Sequence, residues 1–189
     1  MEQRYLSFAL FGGRGLIGRS LDGVDRELLV EAVRAGLQNQ DGRARSSFAS
    51  VYRNLSFEEI QPLLPAIHKA IVEPAPSGIM FADGIQNSGL ELFTKHRVSE
   101  GIELLADYAK TQKPHGSQKR IVKIMKMLES YGAHAQRVIP QLESAIAYFE
   151  QGEVNFPKKL SLDKANVVRE AIAKIQSSTE KPELLELNL

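Results

Sequence analysis

Two nine-residue stretches of the sequence, LLPAIHKAI at residues 63–71 and VIPQLESAI at residues 138–146, align without a gap. In both, a proline follows two aliphatic residues and an Ala-Ile pair ends the stretch. The apolar residues recur every three or four positions, which is typical of one face of an amphipathic α-helix. Pro65 and Pro140 lie 75 positions apart, about twice 37. The sequence therefore predicts a helical unit that repeats roughly every 37 residues.

A further amphipathic stretch precedes each of these proline-containing helices. The first is GRARSSFASVYRNL at residues 42–55, and the second is GSQKRIVKIMKMLESYG at residues 116–132. Between the first stretch and its partner helix, Ser56 with Glu59 forms a capping-box signature. Gly132 is a typical stop at the end of a helix. Both stretches therefore predict a pair of helices joined by a short turn.

The period extends in both directions and predicts one all-α domain over residues 1–189. Because a proline breaks a helix interior, the second helix of each pair is expected to kink or to begin later, near Pro65 and Pro140. The predicted helix pairs cover residues 5–38, 42–72, 77–112 and 116–151, and a closing helix covers residues 161–178.

The middle unit contains an unusual stretch, EPAPSGIMFADGIQNSG at residues 73–89. In one interpretation a loop runs to Ser88, where a helix begins. In the other, a helix begins at Pro76-Ser77 and buries a stripe that includes Ile79 and Gly89. The 37-residue period favours the second interpretation, with a turn near residues 96–98 and a neighbouring helix close to Gly89.

Three residues of this stretch are candidate binding residues. Met80 and Phe81 fall off the apolar stripe, so we expect them to contact a partner. Asp83 lies between Phe81-Ala82 and Gly84 in the sequence, and a carboxyl group in such a partly apolar environment would suit an acid catalyst. Since no second catalytic group lies nearby in sequence, a role at the helix start or on the surface is favoured for Asp83.

The run MLESYGAHAQRVIPQLESAI at residues 127–146 resembles a HEAT repeat, whose second helix typically opens with an alanine-rich turn and a proline. The resemblance implies a right-handed, HEAT/armadillo-like α-solenoid of about four helix pairs and a closing helix, used for binding rather than catalysis. The chain also resembles a HEAT-like domain found towards the C-terminus of larger, often exported, bacterial proteins. That resemblance supplies no site residues and rests on GVDRELL (23–29), DGRAR (41–45), APSGIMFADGI (75–85), EGIEL (100–104) and LESYGAHA (128–135).

Composition disfavours several classes of partner. Lys and Arg number 24 and Asp and Glu number 23, so the formal net charge of +1 recruits neither nucleic acid nor an anionic membrane. The chain has no cysteine, which excludes disulfides, thiolate metal sites and cysteine nucleophiles. No segment is apolar over the length of a membrane span. The compartment stays open: we expect the cytoplasm if Met1 is the natural start, and export or the periplasm if the chain is part of a longer protein.

Motifs for cofactors and metals are weak. GRGLIG at residues 13–18 fits G-x-G-x-x-G, but the helix and second strand of a dinucleotide site do not follow it. His68, His96, His115 and His134 are scattered, and none lies four positions from another as a helical metal site needs. We therefore expect no cofactor and no metal.

A row of basic residues supports an alternative function, that of a nucleic-acid-acting enzyme. Together with two arginines on the equivalent helix two repeat lengths earlier, this row forms a candidate basic face that resembles the DNA-binding surface of HEAT-like DNA glycosylases. The solvated face of an amphipathic helix is the favoured explanation. The candidate basic residues are Arg43, Arg45, Lys119, Arg120, Lys123 and Lys126.

Taken together, these patterns predict a non-catalytic protein–protein or interdomain interaction module. It would bind along the concave face formed by the second helix of each pair. The expected partner is a protein or another domain of the same polypeptide. The alternatives are a nucleic-acid-acting enzyme that uses the basic face and Asp83, and a purely structural spacer.

Overall fold

The computed structural model describes residues 21–187, and these residues form helices without a β-strand. The all-α class predicted from the sequence is therefore confirmed for this part of the chain. GRGLIG and the first half of the predicted unit 5–38 lie outside the described residues. The α-helices are α1 (Arg26–Leu37), α2 (Gly42–Ala49), α3 (Phe57–Ile60), α4 (Leu64–Val72), α5 (Ala82–Lys95), α6 (Gly101–Lys110), α7 (Gln118–Glu129), α8 (Ile139–Gln151) and α9 (Lys158–Ser177).

The contacts among Cα atoms divide the described residues into two compact units. Among the described residues, unit 1 runs to Leu92 and also includes Leu187, and unit 2 covers Phe93–Glu186. Each unit has its own core of aliphatic and aromatic side chains, as the amphipathic stripes predict. None of the helices between residues 21 and 187 combines the length and the apolar character that crossing a membrane requires.

Helix starts in unit 1 follow the capping chemistry of the sequence. Asp25 caps α1 by accepting hydrogen bonds from the N–H groups of Glu27 and Leu28, both at 3.1 Å. The capping box of Ser56 and Glu59 is present, with the N–H of Ser56 2.6 Å from Glu59 Oε2. These short polar side chains satisfy N–H groups that the first helical turn leaves without partners.

Pro65 marks a later helix start, which is one of the two alternatives that the sequence left open. A 3₁₀ turn over Gln61–Leu63 separates α3 from α4, and Pro65 is the second residue of α4. Proline is tolerated there because the N–H it lacks would have no partner within the helix. Unit 2 repeats this order, with a 3₁₀ turn over Gly132–Val138 and Pro140 as the second residue of α8.

The middle stretch is helical, so the interpretation with a loop up to Ser88 is wrong. A 3₁₀ turn over Ile79–Phe81 leads into α5, and the helix therefore begins a few residues after the predicted Pro76-Ser77. Gly89 is buried against α4, where an added Cβ would lie 2.7 Å from Ile71 Cδ1. The predicted close approach at Gly89 is therefore confirmed.

The burial of Ile79 was predicted wrongly. Its side chain is 71% exposed, whereas Ile85 on the same predicted stripe is buried. The stripe assumes 3.6 residues per turn, but Ile79 lies in a 3₁₀ turn of three residues per turn. The helical periodicity of α5 therefore does not extend back to Ile79, and the side chain of Ile79 points away from the core.

In unit 2, α9 contacts both α7 and α8. The apolar spacing of the sequence predicts that Leu162, Ala165, Val168 and Ile175 share the buried face of α9. Ala165, Val168 and Ile175 are buried as predicted, whereas Leu162 is exposed. After Ser177 the chain leaves the helix and continues as an extended segment over residues 178–187.

Candidate binding surface

The loop that precedes α5 is fixed to the start of α2 by main-chain hydrogen bonds. The N–H of Gly42 donates to Ser77 O at 2.8 Å, and the N–H of Ser77 donates to Gln40 O at 3.2 Å. The hydroxyl of Ser77 donates to the same oxygen of Gln40 at 2.9 Å. Together these bonds hold the loop as a single bridge between Asp41 and Ser77.

Two glycines allow this close contact. Gly78 has φ of +65°, a left-handed conformation that favours glycine. A Cβ added to Gly42 would lie 2.5 Å from Gly78 O, and one added to Gly78 would lie 2.9 Å from Asp41 Oδ1. The two glycines therefore fix the direction in which the chain enters the next turn.

Arg45 holds the beginning of the same loop and is not part of a basic face. The residue is 8% exposed, its Nε donates to Asn39 O at 2.6 Å, and its Nη1 donates to Glu73 O at 2.7 Å. The prediction that Arg45 lies on a solvated basic surface is wrong, because these two carbonyls take the guanidinium into the fold. Arg43 is half-buried, with its guanidinium carbon 5.9 Å from the centre of the Phe81 ring.

Directly after the fixed loop, the turn Ile79–Phe81, named here the apolar turn, presents hydrophobic side chains to solvent. Ile79 is 71% exposed and Met80 is 79% exposed, while Phe81 is half-buried. The N–H of Phe81 donates to Gly78 O at 3.0 Å, which closes the turn. Asp83 lies in the first turn of α5, where a carboxylate is stabilised by the helix N-terminus.

The remaining basic candidates lie on α7 in unit 2. Lys119, Lys123 and Lys126 are exposed on α7 at positions that share one helical face. Arg120 is half-buried, with its Nη1 3.5 Å from Gln112 Oε1. The three lysines are arranged as the solvated face of an amphipathic helix.

The histidines do not form a metal-binding cluster in the described part of the chain. Nδ1 of His115 lies 2.6 Å from Glu153 Oε2, and its ring stacks on Phe156 with 3.7 Å between centroids. Burial lowers the pKa of His96, and the charge of Lys95 adds to this effect. Between residues 21 and 187, no group of three or more His, Asp or Glu side chains is arranged to hold a metal ion.

A buried lysine in unit 2 was missed by the sequence reasoning. Lys164 of α9 is 0% exposed, donates to the carbonyl of Lys113, and has its Nζ 5.4 Å from the centre of the Phe149 ring. Burial lowers the pKa of this ammonium group, and Glu153 partly opposes the effect. The position of Lys164 between Ser161 and Ala165, which both face the core, was the only signal in the sequence.

Chemically, the apolar turn is suited to contact with another protein. Two exposed aliphatic side chains on a fixed main chain can enter an apolar pocket with little loss of conformational entropy. In comparisons with known proteins, no family model, no curated protein and no solved structure gives a significant match to this chain.

Proposed function

We propose that this protein is a non-catalytic interaction module of the HEAT-like helical-repeat type. Its partner is a protein, or another domain of the same polypeptide, that offers an apolar pocket to Ile79 and Met80. The observation that carries the proposal is the exposure of these two side chains, 71% and 79%, on a turn whose main chain is fixed by hydrogen bonds. Exposed hydrophobic side chains in a fixed arrangement are typical of protein-binding sites.

The HEAT-like part of the proposal rests on the order of elements that both units share. In each unit a 3₁₀ turn leads into an α-helix whose second residue is a proline, Pro65 in α4 and Pro140 in α8. A repeated supersecondary unit of this kind supports a right-handed stack of helix pairs. In such a stack the second helices form a concave face, which we propose as a further contact area.

The experiment begins by identifying the partner at the apolar turn. A photo-crosslinking amino acid at position 80 captures the bound protein in cells, and the purified partner is then titrated with the unaltered chain. We expect Met80→Lys to weaken binding at least ten-fold, because a charge would be desolvated in the pocket. Leu28→Lys, a change at an exposed leucine elsewhere in unit 1, is the matched control and should bind as the unaltered chain does.

Two outcomes would contradict this proposal. One is equal affinity of the Met80→Lys and Leu28→Lys variants for the captured partner. The other is binding to DNA that weakens steeply between roughly 50 and 200 mM salt and is lost when Lys119, Lys123 and Lys126 are changed to glutamine. That second result would favour the nucleic-acid-acting alternative.

A further inference from the structure

Unit 2 holds an extended segment, residues 178–186, which is named here the strap. The strap is held by main-chain hydrogen bonds at two places, and two side chains also contact its carbonyls: Nε2 of His134 lies 3.0 Å from Pro182 O, and Nε2 of Gln136 donates to Ser178 O at 3.3 Å. The N–H of Ala133 donates to Glu180 O at 2.8 Å. Five residues further along, the N–H of Ser99 donates to Leu185 O at 2.8 Å, and the N–H of Leu185 donates to Arg97 O at 3.0 Å. The strap therefore binds as a short parallel strand would, at isolated points.

The binding point for Leu185 is the turn that ends α5. Arg97 has φ of +54°, the N–H of Val98 donates to Phe93 O at 2.8 Å, and the N–H of Arg97 donates to Thr94 O at 3.2 Å. This is the Schellman arrangement, in which a left-handed residue ends a helix. A left-handed conformation is unfavourable for arginine, and in this conformation the carbonyl of Arg97 faces the N–H of Leu185.

The binding point for Glu180 is the turn that follows α7. Gly132 has φ of +59°, and a Cβ added to it would collide with Glu180 O. Glycine therefore makes room for a main-chain carbonyl of the strap, and the N–H of Ala133 binds that carbonyl. The left-handed residues of the two turns, Arg97 and Gly132, lie 35 positions apart, close to the repeat length of the sequence. Successive repeats therefore present similar turns to one extended chain.

Buried residues hold the two turns, whereas the strap itself is weakly packed. The hydroxyl of Tyr131 donates to Val98 O at 3.0 Å, and both residues are fully buried. By contrast, each strap residue is exposed or half-buried, including Leu184 and Leu185. Binding through main-chain groups with little side-chain burial accepts many sequences, as it does when a peptide joins a sheet edge.

We propose that the turns at residues 97–99 and 132–136 form a binding site for an extended peptide segment of a partner protein. The segment would present a carbonyl to Ala133 and, five residues later, an aliphatic residue whose N–H and C=O pair with the turn at residues 97–99. The strap occupies this site in the same chain and is displaced when the partner binds. This site deepens the interaction-module proposal but does not rest on the apolar turn.

The probe is a fluorescent peptide with the sequence of residues 178–187, STEKPELLEL, titrated into the full chain and followed by anisotropy. In the full-chain variant Leu185→Pro, the strap loses the N–H that donates to Arg97 O. We expect this variant to bind the peptide about ten-fold more tightly than the unaltered chain, because its own strap competes less. Lys181→Ala, which changes an exposed strap side chain, is the matched control and should behave as the unaltered chain.

A second peptide tests whether binding uses the main chain. The L185P peptide lacks the same N–H and should bind the Leu185→Pro protein at least ten-fold more weakly than the native peptide. If that protein does not fold, saturable binding of the native peptide to the unaltered chain, weakened with the L185P peptide, supports the site instead.

Three results would overturn the site. The first is absence of binding of the native peptide to the Leu185→Pro protein up to about 1 mM peptide. The second is equal binding of the native and L185P peptides by that protein. The third is a dimer of the unaltered chain that the peptide dissociates. The dimer would make a second copy the occupant. Met80→Lys should leave peptide binding unchanged, so failure of the apolar turn and failure of this site are distinguishable.

Discussion

Unit 1 and unit 2 each contain a turn in which a glycine makes room for a main-chain carbonyl. In unit 1 the carbonyl of Gly78 lies against Gly42, and the apolar side chains that follow are exposed to solvent. In unit 2 the carbonyl of Glu180 lies against Gly132, and the strap covers the turn. The same contact between a glycine and a carbonyl is therefore followed by an exposed apolar surface in unit 1, whereas in unit 2 it lies beneath the strap.

The difference follows from which groups each turn leaves without a partner. In unit 1 the hydrogen bonds between Gln40, Gly42 and Ser77 satisfy main-chain groups within the turn region, and apolar side chains remain exposed. In unit 2 the N–H groups of Ser99 and Ala133 donate to the strap. A buried donor without a partner costs about 1–3 kcal/mol, whereas an exposed side chain leaves about 25 cal/mol per Å² of apolar area to be gained. The unit 2 turns therefore bind main chain, and the unit 1 turn suits an apolar pocket.

The largest expected effect comes from breaking the covered turn. Gly132→Ala forces a Cβ into the left-handed conformation and against Glu180 O, so we expect a loss of about 3 kcal/mol in the free energy of unfolding. Gly23→Ala is the control, since Gly23 has φ of +72° but a Cβ there would meet no atom within 4 Å. It should lose only about 1 kcal/mol in denaturant unfolding. Equal losses would show that the strap does not press on Gly132.

The corresponding change in unit 1 should have a smaller effect. Gly42→Ala places a Cβ 2.5 Å from Gly78 O, and we expect a loss of about 2 kcal/mol, because the loop must move away from α2. Gly84→Ala in α5 has its nearest neighbour, Ser46 Oγ, at 3.6 Å and should gain up to about 1 kcal/mol from helix propensity. Denaturant unfolding measures both changes. A neutral Gly42→Ala variant would mean that the loop is not fixed at this point.

The two units should also differ in their response to alkaline pH, through Lys164 of unit 2. Burial lowers the pKa of Lys164 from its ordinary value of 10.5, so the unfolded chain binds the proton more tightly than the folded chain. Between the two pKa values, stability therefore rises with pH, by about 1.4 kcal/mol for each unit of lowering. Lys164→Met should remove this rise, and Lys174→Met, at an exposed lysine, should keep it.

Unfolding measured from pH 7 to pH 10.5 tests this difference between the variants. Burial raises the pKa of Tyr52 and of Tyr131, which lowers stability above the ordinary tyrosine pKa of 10 in every variant. The contribution of Lys164 is therefore the difference between the curves of the Lys164→Met and Lys174→Met chains. Parallel curves would contradict the assignment.

At acid pH the corresponding group is Glu59 of unit 1. Its carboxylate lies 2.6 Å from Arg26 Nε and accepts from the N–H of Ser56, and Arg26 is the main cause that lowers the pKa of Glu59 from 4.5 to about 2. The stabilisation is therefore present above pH 4.5 and is lost as the pH falls to about 2. Because the pair is partly exposed, we expect Glu59→Gln to lose about 1 kcal/mol at pH 7. Glu73→Gln, in the more exposed pair with Lys69, should lose almost nothing.

The sequence predicts the helices of both units well, because capping residues and apolar periodicity are local signals. Pro65, Pro140 and Gly89 were assigned their roles from spacing alone. The structure shows a later helix start rather than a kink at both prolines, and it confirms the close contact at Gly89. Ile79 and Arg45 were misplaced for a physical reason. The 3₁₀ turn at Ile79 does not continue the helical periodicity that predicts its burial. The guanidinium of Arg45 is buried because the carbonyls of Asn39 and Glu73 accept its N–H groups.

The candidate sites were harder to predict because they depend on contacts between residues far apart in sequence. Met80 and Phe81 were found because they break a pattern. The strap has no such signal: residues 178–186 are polar apart from a proline and two leucines, and their place depends on Arg97 and Ala133. Lys164 likewise needs the carbonyl of Lys113, which lies 51 positions earlier.

The smallest expected effect on stability is the one that separates folding from binding at the apolar turn. Met80 is 79% exposed, so Met80→Lys should change the free energy of unfolding by no more than about 0.5 kcal/mol in either direction. Ile85→Ala, at a buried position of the neighbouring helix, should cost about 2–5 kcal/mol in the same assay. A loss above about 1 kcal/mol for Met80→Lys would mean that Met80 is covered by the chain itself. Loss of the captured partner could then result from damage to the fold, and the apolar turn would resemble the covered turn of unit 2 rather than contrast with it.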